Sequence, residues 1–260
     1  MKIPIWQVDA FAGRVFGGNP AAVCLLESWL DDGLLQSIAA ENNLSETAFL
    51  VGGSGRYRIR WFTPRREVDL CGHATLASGS VVFDQLEPGR LNVVFDSKSG
   101  PLTVVREGEL LALDFPARPA EPIDPPPELM AGLGGRPREV LAASDYLAVY
   151  GSEEEVRGLC PDLETLEELD RRGVIVTAPG HDVDFVSRFF APAFGIPEDP
   201  VTGSAHCTLI PYWSKRLGKK SLHALQVSDR VGELYCEDRG ERVKIAGRVA
   251  LYLEGNVFVE

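Results

Sequence analysis

Glu46 stands in Leu44-Ser45-Glu46-Thr47-Ala48-Phe49, a carboxylate flanked by hydroxyls where an apolar run begins. A carboxylate partly withdrawn from water gains proton affinity and can accept and return a proton near neutral pH. Local context alone favours a solvated glutamate at a strand end. His73 follows Gly72 at the head of an apolar stretch of helical character. A helix N-terminus disfavours the imidazolium, so the expectation there is a neutral donor or proton carrier, with a simple capping role as the alternative. Asp199 lies in Pro197-Glu198-Asp199-Pro200, where it can be a turn or N-cap residue, or can orient His73 as an acid holds an imidazole in one tautomer. Ser204 offers a hydroxyl to a carboxylate or to a substrate hydroxyl.

Cys71 suggests a second chemistry, because two thiols on opposite faces of a carbon acid can racemise it and a helix mouth stabilises thiolates. The matching position later in the chain is Thr202, too weak an acid or base for that task unaided, and Cys207 reads as a packing residue.

These residues occur in a segment that appears twice. Arg60-Trp61-Phe62-Thr63-Pro64 leads into Cys71-Gly72-His73-Ala74, and Arg188-Phe189-Phe190-Ala191-Pro192 leads into Thr202-Gly203-Ser204-Ala205. Each copy reads as a strand, a short loop and a glycine opening a helix, so two similar lobes are expected. Their helix mouths, rich in free N–H groups, would cradle a small anion in a cleft between them.

Strands are expected over residues 3–10, 47–51 and 57–62, with a helix from Asp31 or Asp32 to about Glu41. The helix from Gly72 to Phe83 has no polar face and must be enclosed, with strands near 91–96, 102–106 and 110–115 to wrap it. The first lobe then covers 1–116, a proline-rich connection 117–127, and the second lobe 128–248, with 249–260 returning as a strand to the first. In the second lobe, strands are expected at 144–150, 174–178 and 185–190, and surface helices at 153–159 and 163–169. The enclosed helix from Gly203 to Leu217 should be kinked or ended by Pro211.

The formal charge of −12 argues against a broad nucleic-acid or anionic-lipid surface. Without a long apolar run or a cleavage motif, the reading is a cytoplasmic protein with no membrane partner. Five scattered cysteines without a C-x-x-C pair, and histidines without ligand spacing, fit reduced thiols and no metal site. Gly132-Leu133-Gly134-Gly135 lacks the full dinucleotide fingerprint, so no nucleotide or redox cofactor is inferred.

Val8-Asp9-Ala10-Phe11, Gly18-Asn19-Pro20-Ala21-Ala22-Val23, the Glu46 and His73 motifs, and Asp199-Pro200-Val201-Thr202-Gly203-Ser204-Ala205 together resemble, in order, the PhzF family of phenazine-biosynthesis-like isomerases. The resemblance implies an α/β fold of α+β type, diaminopimelate-epimerase-like, with two pseudo-symmetric lobes. Each lobe has a curved, mostly antiparallel sheet around a central helix. It implies cofactor-free isomerisation of a small carboxylate and a homodimer. Glu46, His73 and Asp199 would be catalytic, and Asn19, Ser45, Gly72, Thr202, Gly203 and Ser204 would bind substrate. The family's phenazine enzyme moves a proton between ring carbons of trans-2,3-dihydro-3-hydroxyanthranilate. This chain departs from it at Cys71 and Ala74, where alanine and proline are expected, and resembles the broad branch outside phenazine pathways. The expected function is therefore an isomerase using Glu46. The alternatives are an amino-acid racemase using Cys71 and a non-catalytic binding protein on the same fold.

Overall fold

The alternating residues at the start of the chain form the strand Lys2–Ala10, in a computed structural model that describes residues 1–259. It pairs antiparallel with Asn19–Leu26 on one side and with the C-terminal strand Val249–Phe258 on the other. Asn19–Leu26 pairs parallel with Glu46–Gly53, a connection that needs a crossover, and the helix Asp32–Asn42 supplies it. Asp31 caps that helix by accepting from the Gly33 N–H, and Asn43 ends it in the left-handed conformation at φ 48°. Glu46–Gly53 pairs antiparallel with Arg56–Phe62, which pairs parallel with Asn92–Ser97. The strands Gly100–Glu107 and Leu110–Pro116 then follow antiparallel.

The helix Gly72–Val81 is buried at every residue from His73 onward. Small side chains let strands approach it closely: a Cβ built on Gly79 would stand 2.6 Å from Cγ1 of Val104, itself fully buried. A π-helical turn, Val82–Leu86, extends the helix.

Chain contacts divide the protein into two units, Met1–Asp114 with the residues from Ala246 onward, and Phe115–Ile245. The second unit repeats the strand plan of the first. Glu139–Ala142 pairs antiparallel with Tyr146–Val149, which pairs parallel with Val174–Pro179; antiparallel Phe185–Phe190, parallel Ser221–Gln226 and antiparallel Gly232–Asp238 follow. Its buried helix is Gly203–Leu217.

Pro211 does not end that helix. Proline has no N–H for the carbonyl four residues earlier, but the freed Cys207 carbonyl accepts the backbone N–H of Arg118 at 2.9 Å. The proline-rich segment is thus tied into the second unit, and its Glu121–Pro122 strand pairs with Leu141 and Ala142. The surface helices are shorter than their apolar spacing suggested, Glu153–Arg157 and Leu163–Glu167. A helix at Pro127–Gly132, with proline in its first turn, was not anticipated. Among the described residues no helix is long and apolar enough to cross a membrane.

The packing at Gly79 yields a stability prediction. Glycine to alanine inside a helix ordinarily gains about 1 kcal/mol. Here overpacking against Val104 outweighs that gain, so Gly79→Ala is expected to destabilise the fold by about 1–2 kcal/mol net. Urea unfolding of the two proteins measures it, and a variant more stable than the parent would contradict the packing account.

Candidate active site

Register brings the first cluster together. Ala21 is level with Glu46 in the parallel pair, so Asn19 and Glu46 stand at the same end of neighbouring strands, beside the mouth of the helix that begins at Gly72. Cys71 occupies the N-cap position with an extended backbone and makes no capping hydrogen bond. Its thiol turns instead to His73, with Sγ 3.6 Å from Nδ1. The Asn19 side-chain amide also meets Nδ1, at 3.2 Å. On the opposite edge of the ring, Nε2 lies 3.0 Å from Oε2 of Glu46. That contact is close but out of line for a hydrogen bond, and neither atom has a well-aligned partner. It is a charge contact with its hydrogen-bonding capacity unspent. All four residues are at least nine-tenths buried.

Burial opposes a charge on His73, while Cys71 and Glu46 favour it, and the outcome is a pKa well above the ordinary imidazole value. Cys71 itself is pushed up to about 11, chiefly by burial and then by Glu46. The proton on His73 is thus favoured by both neighbours, Cys71 beside Nδ1 and Glu46 beside Nε2. This direction is opposite to the neutral imidazole expected from the helix position: Cys71 and Glu46 together outweigh burial and the partial charge of a helix N-terminus. Asn19 suits either state of the ring, since its amide can donate to a bare Nδ1 or, turned over, accept from Nδ1–H.

Glu46, Cys71 and His73 have ligating atoms within 4.8 Å of one another, a spacing that metal sites share. Cys71 addresses Nδ1, however, and Glu46 addresses Nε2, whereas a cation takes one ring nitrogen.

The second cluster is in the other unit. Thr202, at the N-cap position of Gly203–Leu217, donates through Oγ1 to Oδ2 of Asp199. Gln226, fully buried, locks this loop: its Oε1 accepts the Thr202 N–H at 2.8 Å and its Nε2 donates to the Asp199 carbonyl at 2.8 Å. Ser204 Oγ accepts from Nη1 of Arg172 at 2.9 Å, and Arg172 makes a bidentate pair with buried Asp145. His206, one turn beyond Thr202, is wholly buried, and its Nδ1–H donates to the Thr202 carbonyl at 2.9 Å. Desolvation pushes its pKa down to about 4. The buried helices thus carry histidines of opposite habit. Ser45 is half-buried beside Glu46, and Gly72 and Gly203 open the two helices.

Arg172, Asp145 and Gln226 were missed in the sequence. Arg172 sits in Asp170-Arg171-Arg172-Gly173, which reads as a solvated turn, while Gln226, a polar residue closing an alternating apolar strand, was a usable signal.

Comparison with known proteins gives a consistent result. A sequence profile described as "Phenazine biosynthesis-like protein" matches residues 8–255. An uncharacterized isomerase of Pseudomonas aeruginosa is 54% identical over 257 residues, covering 99% of each chain. A crystal structure of a PhzF-family phenazine biosynthesis protein from Enterococcus faecalis superposes with a TM-score of 0.96 at 50% identity, covering all of both chains. A hydroxyproline epimerase from Agrobacterium vitis, at 11% identity and a TM-score of 0.63, covers 98% of this chain and 92% of its own, and shares the fold alone.

The two histidines make pH-dependent stability predictable in sign. His206 has a depressed pKa, so the unfolded chain binds a proton that the folded one refuses, and stability falls as pH drops from 6.5 toward 4. The full effect is about 3 kcal/mol. His73 has a raised pKa; its contribution is complete below pH 6.5 and is lost as pH rises through the folded value. His206→Gln should therefore flatten the acid limb of a stability–pH curve and leave the alkaline limb unchanged. An acid limb identical to the parent's would contradict the assignment.

Proposed function

The chain belongs to the phenazine biosynthesis-like family, and from that premise we propose that it is an isomerase in which Glu46 moves a proton within a small cyclic or unsaturated carboxylic acid. The observation that carries this reading is the buried contact of Glu46 with His73 at 3.0 Å. The Glu46 carboxylate takes a proton from an acidic carbon and returns it to another carbon of the same molecule. His73, held by Asn19 and Cys71, offsets the carboxylate's charge and keeps it oriented beside the helix mouth. Side-chain acid–base chemistry suffices for the transfer. Substrate binding falls to Asn19, Ser45, Gly72, Thr202, Gly203 and Ser204. Asp199, locked by Thr202 and Gln226, assists as the resemblance implies. The phenazine enzyme's reaction on trans-2,3-dihydro-3-hydroxyanthranilate serves as the chemical template.

A racemase reading has one observation in its favour, the 3.6 Å approach of Cys71 to His73. Against it, burial holds the Cys71 thiol at about 11, and threonine stands at the matching place in the second copy. Cys71 is more simply a polar wall for the imidazole.

The protein and its Glu46→Gln and Cys71→Ala variants are to be incubated in D₂O with small cyclic and unsaturated acids, including trans-2,3-dihydro-3-hydroxyanthranilate. Carbon-bound deuterium and isomerised product are followed by NMR. Glu46→Gln should lose about 10² to 10⁴ in rate, the usual contribution of a positioned acid–base group. Cys71→Ala should stay within about 10-fold of the parent, since the thiol carries no proton to the substrate. The opposite ranking would install the racemase, and no Glu46-dependent exchange with any acid would favour a binding protein.

A further inference from the structure

The two copies of the repeat carry opposite charges at adjacent positions. In the first, Thr47 pairs with Phe62; in the second, Val174 pairs with Phe190. Phe62 and Phe190 are the same position of the repeated segment, so Glu46 corresponds to Gly173, one residue from Arg172. The first copy sets a carboxylate against the side chain that follows the helix-mouth glycine, Glu46 against His73. The second copy sets a guanidinium against the equivalent side chain, Arg172 against Ser204.

The hydrogen bonds there have a fixed polarity. A guanidinium only donates. Nε and Nη2 of Arg172 are spent on Asp145, which is buried and holds the planar group in one orientation over the Phe189 ring. Nη1 is left to donate to Ser204 Oγ at 2.9 Å. A hydroxyl has one proton to give, and with an accepting site already filled by Arg172 that proton points to another acceptor. The Ser204 hydroxyl makes no other hydrogen bond among the described residues.

We propose that Arg172 is a positioning residue that fills one acceptor site of Ser204 Oγ, turns the hydroxyl proton toward the substrate, and thereby favours an anionic oxygen, a carboxylate, over the neutral oxygen of a carboxamide. The proposal rests on Ser204 binding substrate as read above and adds the residue that turns its hydroxyl toward the carboxylate. Arg172 acts through Ser204, with its own charge largely answered by Asp145. Lysine at this place could keep the ion pair with Asp145 but could not hold the serine as well, because it presents a single compact ammonium in place of a planar fork.

The test is calorimetric binding of a matched pair of ring compounds, anthranilate and anthranilamide, to the parent, Arg172→Lys, Ser204→Ala and the double variant. Thermal melts confirm folding. A second form, Arg172→Met with Asp145→Asn, removes the guanidinium without stranding the buried carboxylate. The parent should bind the carboxylate at least about tenfold more tightly than the amide. Both Arg172 forms should lose that preference, with amide binding within about twofold of the parent. In the Ser204→Ala background, Arg172→Lys should cost less than about a further twofold. Equal or no binding of the two compounds by the parent, an undiminished preference without Arg172, or losses that multiply in the double variant would each overturn the proposal. Deuterium exchange by Glu46 is scored separately, so a failure here and a failure of the isomerase reading produce different results.

Discussion

The approach of a buried carboxylate to a buried imidazole, Glu46 to His73, is the constraint on which the first unit's site depends. Neither charge is comfortable alone at that depth; removing one partner of a buried pair leaves the other uncompensated at a cost of about 3–5 kcal/mol. Together they fix where the strand Glu46–Gly53 begins relative to the helix Gly72–Val81. Asn19 and Cys71 on the far edge of the ring then determine which way the imidazole faces. The contact is close and yet poorly aligned, so the pair retains unspent hydrogen-bonding capacity.

The surrounding scaffold explains how such a pair is tolerated. A helix of small and apolar residues runs fully enclosed, and its first turn is the one place where backbone donors and polar side chains meet a sheet edge. The second unit repeats that construction with the same alternation of antiparallel and parallel pairings. The similar scaffolds bear different side chains: the first sets a carboxylate against a histidine, the second a guanidinium against a serine.

Much of this was legible in the sequence. The absence of a polar face indicated the enclosed helices and the repeat indicated two similar units, whereas Glu46 read locally as a solvated strand-end glutamate and was singled out only by the repeat and the family resemblance. What escaped notice depended on distant partners. The raised proton affinity of His73 could not be read from its helix position, because it depends on Cys71 and on Glu46, the latter twenty-seven positions earlier. Pro211 obeyed its local rule in freeing a carbonyl, but Arg118, from a segment that looked like a mere connection, satisfied it. Arg172 lay in a charged turn indistinguishable from solvated surface until Asp145 and Ser204 were seen around it.

The central claim, that Glu46 holds a proton on His73, is most directly tested by ¹⁵N NMR of histidine-labelled protein, in which only four imidazoles need be resolved. Across a pH titration, His73 in the parent should remain an imidazolium well above pH 6.5. In Glu46→Gln burial should prevail and bring its titration below the ordinary value. A His73 titration that is the same in both proteins would contradict the account, because the carboxylate would then have no hold on the proton it is said to share.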